Sequence, residues 1–528
     1  RWSLFDPNAT NPLAKITGLP LKGNFVYANS SNRGLWQTDY HNFGPRVGIA
    51  YQIRPKLVAR LGYGIFYMPA QALIGFDSPG QDIGFSTSTP WLFSSPSNSF
   101  LPYNLISNPY PGGITLPTGS STNFTATAGQ GIGQVWLTGP HPTQYKQNFS
   151  LDFQYEFSPS SLLEVGYSGY GARKLLFGNP AFNPDQLPDQ YIRLGNALFD
   201  PVANPFAGAV NQYPALANTI LAGGPCPPSI NAPSCLQKQQ LLLPEPEYYY
   251  LTLTRSFPGA TANFDSLWVK YTHRFAGGLT LLSSYQWSKA LDDASEDQGW
   301  ELNGAASPWR DYYNRKLDYS VSAHDVPQSF VTSLVYQLPV GKGRRFGSRW
   351  SGAANAVAGG WSISSIIRLT SGYPVNVEAP YSFAGATSYP NIVSSNLVNV
   401  PNRTPGPGGQ WFNTCADLLD NNGNYYQSGC NPGEKVVWVQ AQNFTYGNAP
   451  RYLSNLRTDC TRNVDFALAK SIQATEALRV EVRADAFNLF NTPIFGSPDS
   501  FLTDPTFGQV FGTNNSPREI QLGLRLSF

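Results

Sequence analysis

Near its C-terminus the chain alternates apolar and polar residues with a period of two, and few patterns restrict a fold so tightly. Leu478, Val480, Val482, Ala484 and Ala486 alternate with Arg479, Glu481, Arg483, Asp485 and Phe487. Further on, Ile520, Leu522, Leu524, Leu526 and Phe528 alternate with Gln521, Gly523, Arg525 and Ser527. That period belongs to extended strands whose side chains leave on opposite faces. One face is apolar and the other carries charge. An ordinary antiparallel sheet gives this pattern with its apolar face on a core. A barrel in an outer membrane gives it inside out, with the apolar face on lipid and the polar face on the lumen.

The rest of the chain favours the second architecture. Charged residues make up 13% and aromatics 14%, against roughly 25% charged in soluble proteins. No apolar run approaches the roughly 18 residues of a membrane-spanning helix, so a membrane chain of this kind must span as a closed barrel. Alternating segments recur in pairs. They are NFGPRVGIAYQI (42–53) with KLVARLGYGIFY (56–67), QYKQNFSLDFQYEF with SLLEVGYSGYG, and ANFDSLWVKYTHRF with LTLLSSYQWSKAL. QSFVTSLVYQLPVGKGRRFG pairs with GGWSISSIIRLTSGYPVNV, and RNVDFALAKSI with residues 476–490; the last strand stands alone.

That makes eleven strands joined alternately by short turns and long loops, the latter spanning about 68–143, 172–261, 291–327, 372–460 and 491–516. Such loops count against a compact soluble domain and are expected outside an outer-membrane barrel, opposite short periplasmic turns. Residues 1–41 read as an irregular extracellular lead-in, and EYYYLTLTRSF as a strand extension beyond the membrane. Tyr63, Tyr67, Tyr285 and Trp287 fall near the outer rim of the apolar face, and Tyr155, Phe157, Tyr271 and Phe275 near the inner one, as two interfacial girdles. Ser283, Thr332, Ser365 and Lys470 are faults on that face, Lys470 close enough to the rim to snorkel. The expected class is an all-β transmembrane antiparallel barrel, residues 42–528 supplying 11–12 strands of about 22. Bacterial barrels have even strand counts and no free edge. Partner strands are therefore expected before Arg1.

The segments NFGPRVGIAYQI, HDVPQSFVTSLVYQLPVGKGRRFG, GGWSISSIIRLTSGYPVNV, RVEVRADAFNLFNTPIFG and PREIQLGLRLSF carry a family resemblance. The chain resembles the C-terminal barrel portion of TonB-dependent outer-membrane receptors, of the Oar-like type with a carboxypeptidase-regulatory-like domain. The resemblance implies location in a Gram-negative outer membrane, among its lipid and lipopolysaccharide. It also implies energised uptake of a bulky, scarce extracellular ligand of siderophore, glycan or peptide class. The TonB complex would act through a plug domain that this sequence does not contain. The ending Leu524, Leu526, Phe528 resembles the signal read by the barrel-assembly machinery. Two other readings stay open: a surface binding or adhesion barrel working through its loops, and a passive porin-like channel.

Candidate site residues follow from the facing. Arg479, Glu481, Arg483 and Asp485, with Arg368, Lys270 and Arg60, point to the lumen, where they either contact a plug or satisfy one another. In the loop DDASEDQGW, Asp292, Asp293, Glu296 and Asp297 offer oxygen ligands but lack the glycine and spacing of a calcium loop. Trp300 and Trp309 flank it, to stack on a ligand or to pack at the rim. Cys226 with Cys235 and Cys415 with Cys430 would close short loops in an oxidising compartment, leaving Cys460 over. Lys342 in Gly341-Lys342-Gly343 lacks the glycine and hydroxyl spacing of a phosphate loop. The histidines (His41, His141, His273, His324) are scattered. No catalytic group, metal or cofactor is expected, and a net charge of +2 gives no reason to expect nucleic acid.

Overall fold

The structure is a computed structural model describing residues 3–27, 29–30, 39–68, 83–95, 98–135, 142–176, 185–253, 258–274, 277–293, 309–350, 352–382, 388–398, 400, 403–475 and 477–528. It divides into two compact units. One comprises residues 1–42, 68–143 and 176–259, and the other residues 43–67, 144–175 and 260–528.

The second unit is organised by one large sheet. Its strands are β1 (Arg46–Arg54), β2 (Leu57–Met68), β3 (Gln144–Ser158), β4 (Ser161–Leu176), β5 (Pro258–Arg274) and β6 (Leu279–Asp292). Then come β7 (Gln328–Gln337), β8 (Trp361–Thr370), β9 (Thr461–Gln473), β10 (Arg479–Phe487) and β11 (Glu519–Ser527). Each lies beside its neighbour in sequence, with the short strand Ser320–Val321 added on β6. The eleven alternating segments are thus one meander, and wherever the register is resolved the pairing is antiparallel. Register keeps the two faces separate. Val482 lies opposite Lys470 and Leu524, and Arg483 opposite Ala469 and Gly523. At the two ends of the path every residue of β1 and β11 is exposed.

The polar faults on the apolar face are satisfied locally. The Thr332 hydroxyl donates to the Leu282 carbonyl at 3.1 Å, and Ser365 to that of Asp465 at 2.8 Å. Lys470 does not reach for water. Its ammonium donates to the carbonyls of Val357, at 3.1 Å, and Gly359, at the end of the short helix Gly352–Ala358. A cation on helix-terminal carbonyls is favourable, and it lets a lysine stay on an apolar surface.

β10 stops at Phe487, three residues short of the strand end expected from the sequence. Asn488 takes a left-handed conformation (φ 49°), as does Asn491 (φ 52°), which asparagine tolerates better than most residues. The Asn488 side chain accepts from the Thr492 amide at 2.9 Å and donates to the Ser516 carbonyl at 3.2 Å. This turn leads into the last long loop.

That loop and residues 371–460 form a folded body. Its core includes Trp411, Phe412, Val437, Trp438, Leu456, Leu502, Phe507 and Val510, all buried. Phe412, Trp438 and Phe507 meet edge to face at 5.1–6.0 Å, a favoured aromatic geometry. A four-stranded sheet runs Asn391–Ile392, Trp438–Val439, Ala416–Leu419, Tyr425–Ser428.

The first unit also has its own core, built on Leu13, Leu21, Phe206, Leu216, Leu221 and Leu236. Residues 1–41 are not irregular where described, since Ser3–Thr10 pairs antiparallel with Lys22–Tyr27. Tyr250–Leu253, read as a strand extension, pairs parallel with Gly131–Val135 instead. Alternation alone cannot tell which strand a segment will join.

Candidate functional site

The polar face of the large sheet is where chemistry-bearing side chains gather. Lys270 forms an ion pair with Glu164 at 2.9 Å, and Gln154 donates to the other Glu164 oxygen at 2.7 Å. Arg483 pairs with Asp485, two residues along its own strand, at 2.8 Å. Arg479 donates to the Ser471 hydroxyl at 2.6 Å. Glu481 lies opposite Ser471 and Arg525, Arg368 opposite Val331 and Asn463, and Arg60 opposite Ala50. The candidates thus share a face across many strands without converging on one point.

A convergence does occur over β1–β5, and it uses residues the alternation did not single out. A cleft of about 540 Å³ is lined by Arg46, Gly62, Gly64, Phe66, Lys146, Asn148, Ser150, Tyr170 and Phe264, among others. The Arg46 guanidinium lies 4.5 Å from the centre of the Phe66 ring. The Lys146 ammonium lies 3.7 Å from that of Tyr170, whose ring is stacked on Phe264 at 5.6 Å and 23°. Gly62 and Gly64 occupy successive polar-face positions of β2. A Cβ on Gly62 would come within 2.9 Å of the Ser150 hydroxyl, and one on Gly64 within 2.9 Å of the Phe66 ring. Two glycines at i and i+2 inside a strand were the available signal.

The acidic loop has a different character from its sequence. Asp292 is buried in an ion pair with Arg451. Asp293 accepts from the Thr261 amide at 2.7 Å, and burial pushes its carboxyl above the usual range. The Trp309 indole donates to the Asp293 carbonyl at 2.8 Å, and its ring, 2% exposed, lies under Arg315. These side chains hold the loop in place. Glu296, Asp297 and Trp300, like Phe275 at the inner rim, lie outside the described residues.

Two further buried pairs tie down the loops: Arg310 with Asp318 at 2.8 Å and Arg457 with Asp325 at 2.6 Å. Both short disulfides, Cys226–Cys235 and Cys415–Cys430, are formed, and Cys460 is a free thiol. On the apolar face of β11, Leu524, Leu526 and Phe528 are exposed. Among the described residues no group of three or more His, Cys, Asp or Glu side chains is arranged to hold a metal ion.

In the first unit a group of acids lies where sequence reasoning placed nothing. Glu247 is fully buried, and its carboxyl is pushed up to about 8 chiefly by burial, with the Glu245 charge adding to it. Burial also raises Glu245 and Asp185, and the Asp185 carboxylate accepts from the Glu245 amide at 2.8 Å.

A large two-faced antiparallel meander, apolar on one side and charged on the other, is consistent with the sheet of a membrane barrel. The family model described as "Outer membrane beta barrel domain" matches residues 1–521, and the chain belongs to that family. Its place is therefore the outer membrane. A search of curated proteins returns no match. Among solved structures the chain is similar to the outer membrane transporter YddB from Escherichia coli, at 9% identity and a TM-score of 0.38, over 92% of this chain and 41% of that one. It is similar to the ferripyoverdine receptor of Pseudomonas aeruginosa at 10% identity and 0.33, over 92% and 32%. It is also similar to the FrpB iron transporter from Neisseria meningitidis at 10% identity and 0.32, over 92% and 38%. The chain thus spans from about a third to two fifths of the length of those structures.

Proposed function

We propose that this chain is part of a closed barrel of about 22 strands that imports a bulky, scarce ligand, energised by the TonB complex through a plug. Residues 1–41 and the long loops are extracellular, and the lumenal row of charges, Arg479 to Asp485 with Arg368, Lys270 and Arg60, lies toward the plug. The ligand comes from outside, the barrel-assembly machinery inserts the protein, and lipopolysaccharide surrounds it. The supporting observation is the meander itself. It is a membrane-barrel sheet whose polar face is wide, charged and aromatic, and barrels of 22 strands are the plugged transporters.

Two experiments test this reading. Cells with and without the gene are compared for solute accumulation before and after the proton gradient is collapsed. Accumulation that stops on collapse is expected. Accumulation that persists is the result of a passive channel, and surface binding without accumulation that of an adhesion barrel. For the facing, Val482→Arg should destabilise the inserted barrel by roughly 2–4 kcal/mol if it lies near the midplane. Arg483→Val should cost less, and equal tolerance of both would sink the assignment.

A further inference from the structure

We propose that the cleft floored by Gly62 and Gly64 binds a small organic anion, its carboxylate or similar oxyanion held by Arg46 and Lys146. Its place in uptake rests on the receptor reading above; its chemistry rests on the cleft.

Charge carries the argument. Two other cations of the polar face pair with acids, Lys270 with Glu164 and Arg483 with Asp485, and Arg479 donates to the Ser471 hydroxyl. Among the described residues Arg46 and Lys146 form no ion pair, and no Asp or Glu lines the cleft. Aromatic rings position both cations instead. A ring attracts a cation through its quadrupole but leaves the positive charge uncompensated. Two such charges in one cleft, with the neutral polar groups Asn148, Ser150 and Ser168 in its lining, complement an oxyanion.

Shape supplies the second half. Strand interiors disfavour glycine, and a glycine there often marks a close approach of ligand to backbone. At Gly62 and Gly64 a Cβ would come within 2.9 Å of the Ser150 hydroxyl and of the Phe66 ring, so the two glycines let these side chains lie close against the strand and line the cleft. The volume of about 540 Å³ is that of an ordinary small-molecule site. Phe66, Tyr170 and Phe264 in the lining suit an apolar body, which distinguishes the expected ligand from a bare inorganic anion.

The test uses the full chain in zwitterionic lipid nanodiscs, with naphthalene-2-carboxylate as probe, its neutral carboxamide as isostere and inorganic phosphate as competitor, read by calorimetry. The carboxylate should bind at one site per chain and the carboxamide about tenfold more weakly or worse. Arg46→Met with Lys146→Met, which keeps the packing on the rings, should weaken the carboxylate by about ten- to hundredfold and leave the carboxamide unchanged. Gly62→Val should abolish both. If the double variant does not fold, the salt dependence of the unaltered chain decides, because added salt should weaken the acid and spare the amide. Equal binding of acid and amide, or binding indifferent to both the charge and the glycine variants, overturns the site. Phosphate competing as well as the naphthoate itself overturns the organic body. Energised accumulation without Arg46- and Lys146-dependent binding defeats this site alone, whereas binding without accumulation defeats the receptor reading alone.

Discussion

In the loop body of residues 371–460 and 491–516, and in the strand ends and turns that meet it, buried carboxylates lie against arginines. Asp318 meets Arg310, Asp292 meets Arg451 and Asp325 meets Arg457. In the first unit Glu247 is buried just as completely, and among the described residues neither it nor Glu245 has an ion-pair partner. Charge can be taken out of water in two ways: by pairing it, or by keeping the proton on. The paired body is fixed by specific ion pairs. The unpaired one loses stability once its acids ionise, so the two should fail under different conditions.

The largest difference should come from breaking a pair. Arg310→Met removes the cation from a contact in which both side chains are at most 2% exposed and leaves Asp318 charged and enclosed. Such losses cost about 3–5 kcal/mol. Hydrogen exchange of residues 371–460 should lose protection accordingly, and adding Asp318→Asn should restore most of it. Unchanged protection in the single variant would mean that the aromatic core alone holds this body.

Legibility in the sequence follows the same divide. Strand faces were readable because alternation is local: Leu478, Val480 and Val482 declare their side within five residues. Loop bodies were not, because their contacts have no period. Phe412, Trp438 and Phe507 meet across long separations, and Arg451 reaches Asp292 from 159 residues away, so an acidic run read as exposed ligands is in part a buried anchor. The most family-like segments turn out to be turns. LPVGKGRRFG needs left-handed Gly341, Gly343 and Gly347, and FNLFN needs left-handed Asn488 and Asn491. The apolar residues Leu489 and Phe490 carried the reading to residue 490, past the point where Asn488 ends the strand. The cleft was hidden for a related reason: Arg46 and Lys146 are ordinary polar-face residues until neighbouring strands bring them together.

A second way to part the two bodies is pH. Glu247 has a free-acid value near 4.5, raised to about 8 by burial. Below about 4.5 the carboxyl is protonated whether the body is folded or not, and nothing is lost. Between the two values the unfolded chain ionises while the folded one keeps its proton, so stability falls as pH rises. Above about 8 both forms are ionised and the penalty is complete, on the order of 5 kcal/mol. Protease resistance of residues 185–253 should therefore decline from pH 5 to pH 8.5. Glu247→Gln should flatten the decline, with any remainder assigned to Asp185 and Glu245, which are shifted the same way. A rise over that range would reverse the sign and rule out burial as its cause.

The smallest difference concerns the disulfides, one in each body, and it separates local from chain-wide effects. Cys415 and Cys430 are 15 residues apart in sequence, and Cys226 and Cys235 are 9 apart. If a crosslink acts by limiting the unfolded chain, its contribution grows only with the logarithm of the loop it closes. The longer loop should then be favoured by about 0.5 kcal/mol. Paired alanine substitutions test this, made with Cys460→Ser so that the free thiol cannot exchange into either bond. Removing Cys415–Cys430 should cost slightly more than removing Cys226–Cys235. A much larger gap would locate the effect in the folded state instead, where Cys415 is buried beside Trp438 and accepts that body's strand amides at Val437 and Trp438 through its carbonyl, at 3.0 and 3.3 Å. In that case the bond positions the edge of an aromatic core, and its loss should loosen the same residues as Arg310→Met.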